Sequence, residues 1–545
     1  MPNVPVPVLS QPEYNSRNIM LNKKLQVWLP LMLSVVMSIG ILIGYKLQQN
    51  INWKNKTSGG NITSSLQQVL NLVRMKYVDT LNLDSVETEG IEAVVNHLDP
   101  HSIYIPPRNL ADINADLHGN FSGIGVEYQM INDTLNVVYV LENGPSEKAG
   151  IKTGDMLLKV DTVNVAGQHI KTSELRILLR GKQGSKVNLT VLQNGQAKIL
   201  EISRGTIPLP SLDAAYMATS DIGYIRLNKF SETTYLEFMD AATGLLKKGM
   251  KKMILDLRGN GGGLLEQATN IADELLPDGK LIVSTRGSHV KTKEIRSTKP
   301  GLFEEGPLVL LMDEFSASAS EVLAGALQDN DRGTIIGRRS FGKGLVQEQY
   351  DLANGGALRL TVARYYTPTG RSIQKSYAGG KEKYEDEILQ RFHNGYTYNA
   401  DSVHAKAFTT KAGKKLFDSG GISPDIMVPL DSSLLPAAAS KLYNSNLLNE
   451  YTFSIYKQQM PVLKKMPSAQ DLNKTYKISE GDWNGLVIAA KKDSIDLGNV
   501  IGNPKEDILR RMKALLFRYV WRNEGYYQVL NTTDLVVLKA LETLK

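Results

Sequence analysis

The spacing of hydrophobic positions changes several times along this chain, and each change predicts a different kind of element. Residues 25–45 carry no charge, and a helix of about 20 such residues crosses the hydrocarbon core of a membrane. The run is longer than the apolar part of a signal peptide, and no small-residue cleavage site follows it. We therefore expect an uncleaved transmembrane anchor at 25–45, with a tail at 1–24 and a linker at 46–63.

Between residues 64 and 98, apolar residues recur every three or four positions, which predicts two or three short helices. Prolines at 100, 106 and 107 end this pattern, and we assign the helical region to residues 64–118. His97 and His101 are four residues apart, as metal ligands on one helical face would be. Pro100 lies between them and would break that helix, so we predict no metal site.

Residues 119–205 combine period-two and fully apolar runs with Gly-rich turns, which indicates a compact β-rich unit. The arrangement resembles a PDZ domain, and FSGIGV (121–126) stands where the carboxylate-binding loop of that family would be. Gly-rich backbone N–H groups can hold a terminal carboxylate, and the neighbouring strand edge can accept an extended peptide. The alternative is a plain tight turn. We expect Ile124 and Val126 to line an apolar pocket, and the predicted tail-binding residues are Phe121, Ser122, Gly123, Ile124, Gly125 and Val126.

From about residue 221, predicted strands alternate with predicted helices, which is the pattern of an α/β core with at least partly parallel strands. We place this core at 206–430, and the Lys-rich helical pattern that follows at 431–545. The predicted fold class is therefore multidomain α/β. It comprises an N-terminal membrane anchor, a short helical domain, a β-rich PDZ-like domain, the α/β core and a helical C-terminal extension.

The amino-acid composition limits the kinds of catalytic and binding site that the chain can form. The chain has no cysteine, which excludes thiolate catalysis and cysteine metal sites. Its net charge of +7 is spread along the chain and gives little support for nucleic-acid binding. Three basic residues lie close to each side of the apolar run, so charge alone does not orient the anchor.

The stretch GRRSFGKGLVQ (337–347) allows three interpretations of Lys343. It matches a phosphate-binding loop up to Gly344, where a Mg²⁺-binding Ser or Thr would be needed. Ser340 and Lys343 have the Ser-x-x-Lys spacing of acyl transferases, but the flanking glycines disfavour the helix that this motif requires. In the third interpretation, Lys343 is a general base for a serine that the fold brings near it.

The segment SASASE (316–321) places three serines where an apolar strand is predicted to turn into a helix. Unpaired N–H groups at such a turn can stabilise a developing negative charge. Ser318 and Glu321 also have the spacing of a capping box, in which the serine only satisfies the N–H of Glu321. Spacing alone does not choose between Ser316, Ser318 and Ser320.

Four segments together resemble the carboxy-terminal processing proteases, which are tail-specific serine peptidases with a Ser–Lys dyad. They are SASASEVLAGALQDNDRGTIIGRRSFGKGLVQ (316–347), LDLRGNGGGLLEQA (255–268), LTVARYYTPTGRSIQ (360–374) and GISPDIMVPL (421–430). The resemblance runs from about 64 to 430 and implies that the core at 206–430 is the protease domain. Ser318 matches the nucleophile, Lys343 the general base and Gln347 the glutamine that orients it. The implied oxyanion donors are the N–H groups of Ala319 and of Gly262 or Gly263.

The resemblance implies a membrane-anchored serine endopeptidase that recognises protein C-terminal tails and cleaves through an acyl-enzyme without a cofactor. Its expected partners are proteins or peptides with free apolar C-termini, and the membrane through residues 25–45, with no nucleic acid. By analogy, residues 1–24 are cytoplasmic and the body lies on the periplasmic side of a bacterial inner membrane. Two alternatives stay open: a non-catalytic PDZ scaffold, and an acyl transferase that uses Ser340 and Lys343.

Overall fold

A computed structural model describes residues 64–393, 406–418, 420–463, 465–466 and 468–545, together with residues 30, 32 and 34–40. Most of the predicted anchor at 25–45, and the linker at 46–63, lie outside the described residues, although 34–40 are helical. Within the described part of the chain, no helix is both long and apolar enough to cross a membrane. The anchor therefore stays a prediction.

The chain divides into two compact units, Met1–Glu89 and Gly90–Lys545. Two of the predicted short helices are present, and a third helix follows the proline pair. Pro107 takes its first position, where the missing N–H of proline is of no consequence. Pro107 therefore starts a helix inside the region 64–118 that was assigned as helical, although the apolar spacing at 64–98 did not predict this element. The elements up to residue 118 are α1 (Ser65–Lys76), α2 (Leu83–Val95), β1 (Ile103–Ile105) and α3 (Pro107–His118).

The β-rich unit has a sheet with strand order β3-β4-β5-β7-β8, with β6 on β5, and a short separate pair, β2 with β9. Its apolar positions point into one core formed by residues such as Leu135, Leu157 and Leu189. The helix α5 covers this core through Leu175 and Leu179. The elements are β2 (Asn120–Gly123), β3 (Val126–Ile131), β4 (Thr134–Val140), α4 (Pro145–Lys148), β5 (Met156–Val160), β6 (Val163–Asn164), α5 (Thr172–Leu179), β7 (Lys186–Gln193), β8 (Gln196–Ser203) and β9 (Gly205–Pro208).

The α/β core is built on a six-stranded sheet with order β10-β11-β12-β15-β16-β21, parallel except for β10. A second sheet has order β1-β18-β13-β14, with β17 on β18. The elements are β10 (Leu212–Met217), β11 (Ile222–Leu227), α6 (Thr234–Lys247), β12 (Lys252–Asp256), α7 (Leu265–Leu275), β13 (Leu281–Arg286), β14 (Lys293–Arg296), β15 (Leu308–Met312), α8 (Ala319–Asp329), β16 (Thr334–Gly337), β17 (Leu345–Asp351), β18 (Ala357–Tyr366), α9 (Lys381–His393), β19 (Ala407–Thr409), β20 (Lys415–Phe417) and β21 (Ile426–Met427).

Both faces of the parallel sheet are buried, which explains why its strands read as continuous apolar runs. Leu255 and Leu310 face the layer formed by α6, α7 and α8, whereas Ile254 and Val309 face the opposite side. Three parallel strands, β12, β15 and β16, end at the same edge of the sheet because they run in the same direction. The segments that follow them carry the glycine loop, the serines and Lys343. Ligand sites form at this edge in open α/β sheets.

The C-terminal region is helical, as predicted, and forms an apolar core that also includes Val138 of β4. The long helix α14 has a kink at Trp521–Arg522, and Arg522 bonds Glu127 of β3. Beyond it, Asp534 forms a 2.8 Å ion pair with Arg258. The C-terminal region therefore contacts both the β-rich unit and the α/β core. A 3₁₀ helix (Ser432–Leu434) precedes α10 (Ala437–Asn444), α11 (Leu447–Leu463), α12 (Ala469–Thr475), α13 (Glu480–Lys492), α14 (Asn503–Leu530) and α15 (Leu535–Thr543).

Candidate active site

Ser318 lies at the turn between β15 and α8, directly before the first residue of the helix. Its φ of 54° and ψ of −113° place it in a sparsely populated region for a residue with a side chain. Strain of this kind costs about 1–3 kcal/mol and persists where the surroundings hold the residue in place. Here it holds a half-buried serine at the carboxyl edge of the parallel sheet.

The other serines near Ser318 and Lys343 have structural partners. The hydroxyl of Ser316 donates to the carbonyl of Leu257 at 2.9 Å, and that of Ser320 donates to the carbonyl of Asn260, also at 2.9 Å. The hydroxyl of Ser340 donates to Glu321 at 2.5 Å. All three serines are 0% exposed. Of the candidate serines, Ser318 is the one that a substrate can reach.

A glycine-rich loop after β12 lies directly against Ser318. A Cβ atom added at Gly262 would be 2.8 Å from the Cβ of Ser318 and 3.0 Å from the backbone nitrogen of Ala319. Gly262 has a φ of +98°, so both its conformation and its closeness to Ser318 require glycine. Asn260 joins the loop to the serine turn, because its carbonyl accepts the N–H of Ala317 at 3.0 Å.

The sequence did not decide whether the second oxyanion donor is the N–H group of Gly262 or that of Gly263. The N–H of Gly262 donates to Oδ1 of Asn260 at 2.9 Å, so this group is already used. Among the described residues, the N–H groups of Gly263 and Ala319 donate no hydrogen bond. These two groups are therefore available to a developing oxyanion near Ser318.

Lys343 lies in an irregular segment between β16 and β17, not on a helix. A phosphate-binding loop leads into a helix, and the Ser-x-x-Lys motif lies on one, so the local structure fits neither of these interpretations. Burial lowers the pKa of Lys343 from 10.5 to about 8, and the charge of Arg359 adds to the effect, whereas Glu321 and Asp99 oppose it. A lysine with this pKa can accept a proton near neutral pH.

Gln347 holds the side chain of Lys343 in place. Its Oε1 accepts a hydrogen bond from Nζ of Lys343 at 2.8 Å, and its own amide donates to the backbone carbonyl of His101. The sequence analysis gave His101 no role. Burial, together with the charge of Lys343, lowers the pKa of the His101 ring from 6.5 to about 4, so the ring is neutral at neutral pH. Its contribution here is the carbonyl that orients Gln347.

Glu321 connects the serine turn to the lysine segment. The sequence suggested only a capping box, and the N–H of Ser318 does donate to the Glu321 carboxylate at 2.8 Å. The same carboxylate also accepts the N–H groups of Gly342 at 2.7 Å and Lys343 at 2.9 Å. Glu321 is 0% exposed, and burial raises its pKa. One buried side chain therefore fixes the backbone at both predicted dyad residues.

Tyr365 on β18 makes a second connection between the same two segments. Its hydroxyl donates to the carbonyl of Ser318 at 3.1 Å and also to the carbonyl of Lys343. Tyr365 was not among the predicted site residues, although it stands in the LTVARYYTPTGRSIQ segment on which the family resemblance partly rests.

The predicted catalytic residues line one open cavity of about 630 Å³. Ser318, Lys343 and Gln347 lie in its wall with Ala319 and the glycine loop. Its apolar lining consists of Leu117, Leu264, Leu265, Val322, Leu345 and Val346.

The predicted tail-binding loop is divided between a cavity and a core. Phe121 and Ser122 line a cavity of about 460 Å³ next to α3 and α5. Ile124 is 3% exposed within the core of the β-rich unit, and Val126 packs against that core. Among the described residues, the N–H groups of Ile124 and Gly125 donate no hydrogen bond, which suits a nest for a carboxylate. A charged residue at position 124 would therefore disrupt the core and would not isolate peptide binding.

Comparison with known proteins gives three family matches. Residues 221–386 match the model of peptidase family S41, residues 122–203 that of the PDZ domain, and residues 439–522 that of a family of unknown function. The β-rich unit therefore matches a PDZ model, and the α/β core that follows it matches a peptidase model. This is the chain order that the sequence resemblance implied.

Two relatives give matches of similar length. A carboxy-terminal-processing protease of Bartonella bacilliformis is 37% identical over 335 residues, which cover 60% of this chain and 76% of that protein. A probable CtpA-like serine protease of Staphylococcus aureus is 33% identical over 330 residues, or 60% of this chain and 65% of that protein.

Two solved structures are also similar. The photosystem II D1 C-terminal processing protease is 28% identical, with a TM-score of 0.35, covering 68% of this chain and 87% of its own. The PDZ domain of a Vibrio cholerae carboxy-terminal protease, in complex with a peptide, is 28% identical, with a TM-score of 0.16, covering 16% of this chain and 99% of its own.

Proposed function

This chain belongs to peptidase family S41, as a carboxy-terminal-processing serine peptidase with a PDZ domain, and from that premise we propose that Ser318 and Lys343 form its catalytic dyad. The observation that carries the proposal is the cavity in which Ser318 is the accessible serine and Nζ of Lys343 is held by Gln347. The lowered pKa of Lys343 supports its role as the base.

In the first step, the neutral amine of Lys343 accepts the proton of the Ser318 hydroxyl, and Oγ attacks the scissile carbonyl carbon. The carbonyl oxygen gains negative charge and is stabilised by the N–H groups of Ala319 and Gly263. With a pKa of about 8, roughly a tenth of the lysine is neutral at pH 7, compared with less than a thousandth at the ordinary value.

The tetrahedral intermediate then collapses, and the peptide C–N bond breaks. Lys343 returns its proton to the leaving amine, and the acyl group remains on Ser318 as an ester. A water molecule then gives a proton to Lys343 and attacks the ester carbon. The second tetrahedral intermediate collapses, the bond to Oγ breaks, Lys343 returns the proton to Oγ of Ser318, and the new carboxylate end is released. Neither half of the cycle requires a histidine.

The test is the cleavage of an unfolded protein with an apolar C-terminal tail by full-length chain in detergent. We expect Ser318→Ala and Lys343→Ala to lose at least about a thousandfold in kcat, and an uncharged fluorophosphonate to label Ser318 in the wild type. Ser220→Ala is the control, because it removes an exposed hydroxyl outside the cavity and should retain activity. Cleavage by Ser318→Ala at the wild-type rate, or labelling of Ser340 instead, would show that the dyad is assigned wrongly.

We propose that the loop at 121–126 binds the free C-terminal carboxylate of the substrate. The unpaired N–H groups of Ile124 and Gly125 and the neighbouring cavity at Phe121 support this proposal. A fluorescent peptide with a free C-terminus should bind more tightly than its amidated form. Phe121→Ala should weaken binding, whereas Ile199→Ala, at an exposed position on β8, should not. Equal affinity for both peptides would contradict the proposal.

We also propose that residues 25–45 anchor the protein in a bacterial inner membrane with the catalytic body in the periplasm. The support is the uncharged run itself. The body should remain with membranes after alkaline extraction, and protease added to spheroplasts should degrade it. A body that is protected in intact spheroplasts would reverse the proposed orientation.

A further inference from the structure

A second positive charge shares the active cavity with Lys343. Arg359 lies on β18 and lines the same cavity as Ser318 and Lys343. In the sheet it is opposite Gln349 on β17 and Ile103 on β1, so its backbone is fixed on both sides. The inference below rests on the proposed Ser–Lys dyad.

The guanidinium of Arg359 bonds a neutral side chain. It donates to Oε1 of Gln349 at 3.0 Å, and the amide of Gln349 donates to Asn114 of α3 at 3.2 Å. Gln349 and Asn114 are both neutral amides, so the bond from Gln349 orients the guanidinium without cancelling its charge. The charge therefore stays directed at the cavity in which Lys343 lies.

Arg359 has no carboxylate partner among the described residues, although it is half-buried. Two buried arginines of the core are paired: Arg371 forms a 2.7 Å ion pair with Asp329, and Arg338 forms one with Glu314, also at 2.7 Å. A partly buried cation without a counter-ion is unfavourable for folding. Such groups concentrate at functional sites.

We propose that Arg359 is a positioning residue that acts through Lys343, because its fixed positive charge raises the fraction of the lysine in the neutral form that accepts the proton of Ser318. Two positive charges that line one partly buried cavity repel each other, and the repulsion favours loss of the lysine proton. The guanidinium itself does not deprotonate in this range.

The other groups around Lys343 do not replace this effect. The carboxylates of Glu321 and Asp99 act in the opposite sense and favour the ammonium form. The ring of His101 is neutral at neutral pH and carries no charge that could repel it. Burial is the larger influence on the pKa of Lys343, and among the charges Arg359 is the one that lowers it.

The experiment measures the rate at which diisopropyl fluorophosphate labels Ser318 in full-length protein between pH 6 and 10. This probe carries no charge and no peptide, so a role of Arg359 in binding substrate would leave its reaction unchanged. The wild-type rate should rise with a midpoint near pH 8. In Arg359→Gln the midpoint should move up by about 0.5 to 1 pH unit, with a three- to tenfold slower rate at pH 6.5 and the same rate at pH 10.

Arg359→Lys is the matched control, since it keeps the charge and should keep the midpoint. Arg359→Met is a second neutral variant of similar length, and circular dichroism compares the folding of all three with the wild type. An unchanged midpoint in both neutral variants would overturn the inference. If their KM for peptides with acidic residues rises while the midpoint stays in place, Arg359 binds substrate and does not act through the lysine. Full labelling of Lys343→Ala would instead show that the dyad itself is wrong.

Discussion

The carboxylate of Glu321 provides the sharpest test of how the site is held together. Each of its oxygens accepts two hydrogen bonds: Oε1 from Ser340 and Gly342, and Oε2 from Ser318 and Lys343. The substitution Glu321→Gln keeps the size of the side chain but converts one oxygen into an NH₂ group. That group would face two donors and accept from neither.

The expected cost follows from the two lost hydrogen bonds. Each hydrogen bond to a charged group contributes about 1.5–3 kcal/mol, and the burial that raises the pKa of Glu321 offsets part of the loss. We therefore expect Glu321→Gln to destabilise this region by roughly 2–4 kcal/mol. Because the backbone at both dyad residues loses its support, kcat should fall by about a hundredfold with little change in KM.

Hydrogen exchange of the segments 313–330 and 338–347 measures the local opening free energy, and peptide cleavage measures kcat and KM. Glu382→Gln is the matched control, because Glu382 is exposed on α9 and its loss should change neither quantity. If Glu321→Gln protects both segments as well as the wild type and retains kcat within twofold, the carboxylate does not support the dyad.

Two further predictions concern the base and the oxyanion loop. Lys343→Met should abolish activity. Below pH 8 it should also raise the free energy of unfolding by about 1–3 kcal/mol, because folding no longer places a charged lysine in a buried site. In urea unfolding, this difference from the wild type should close between pH 8 and 10.5, because the folded and unfolded pKa values of the lysine lie there. Gly262→Ala should reduce kcat at least about a hundredfold, since its Cβ would lie 2.8 Å from that of Ser318, whereas Gly261→Ala has open space around it and should retain activity.

The controls within these predictions separate function from folding. A constant stability difference between Lys343→Met and the wild type from pH 7 to pH 11 would show that burial does not perturb the lysine. Equal activity of the alanine variants at 261 and 262 would show that the loop does not approach the reacting carbonyl.

Local pattern was sufficient to predict most of the core. The parallel strands are buried on both faces, so β11, β12 and β15 could be recognised as short apolar runs between helical segments. The helix at Pro107 was missed because proline is read as a breaker, although it is favoured at a first helical position. The divided tail-binding loop was also beyond local reasoning, because the burial of Ile124 depends on the packing of the whole sheet.

For the site, the sequence predicted residues but not the contacts between them. Ser318 and Lys343 were proposed through the family resemblance, and the cavity contains both. Glu321 was predicted to interact only within its own helix turn, since capping acts over three residues. Its bonds to Gly342 and Lys343 span about twenty residues, and no periodicity encodes contacts over such a distance. The role of Arg359 was likewise not predictable from the local sequence, because it depends on which strand lies beside β17.

The choice of partner for the lysine explains how these contacts work together. Nζ of Lys343 bonds the neutral amide of Gln347, whereas the nearby carboxylate of Glu321 bonds backbone N–H groups. A carboxylate on Nζ would stabilise the ammonium form and raise the pKa of the lysine, which would remove the base at neutral pH. A neutral acceptor orients the amine with much less preference for its charged form. The site therefore uses its negative charge to fix the backbone, and leaves burial and Arg359 to lower the pKa of the amine.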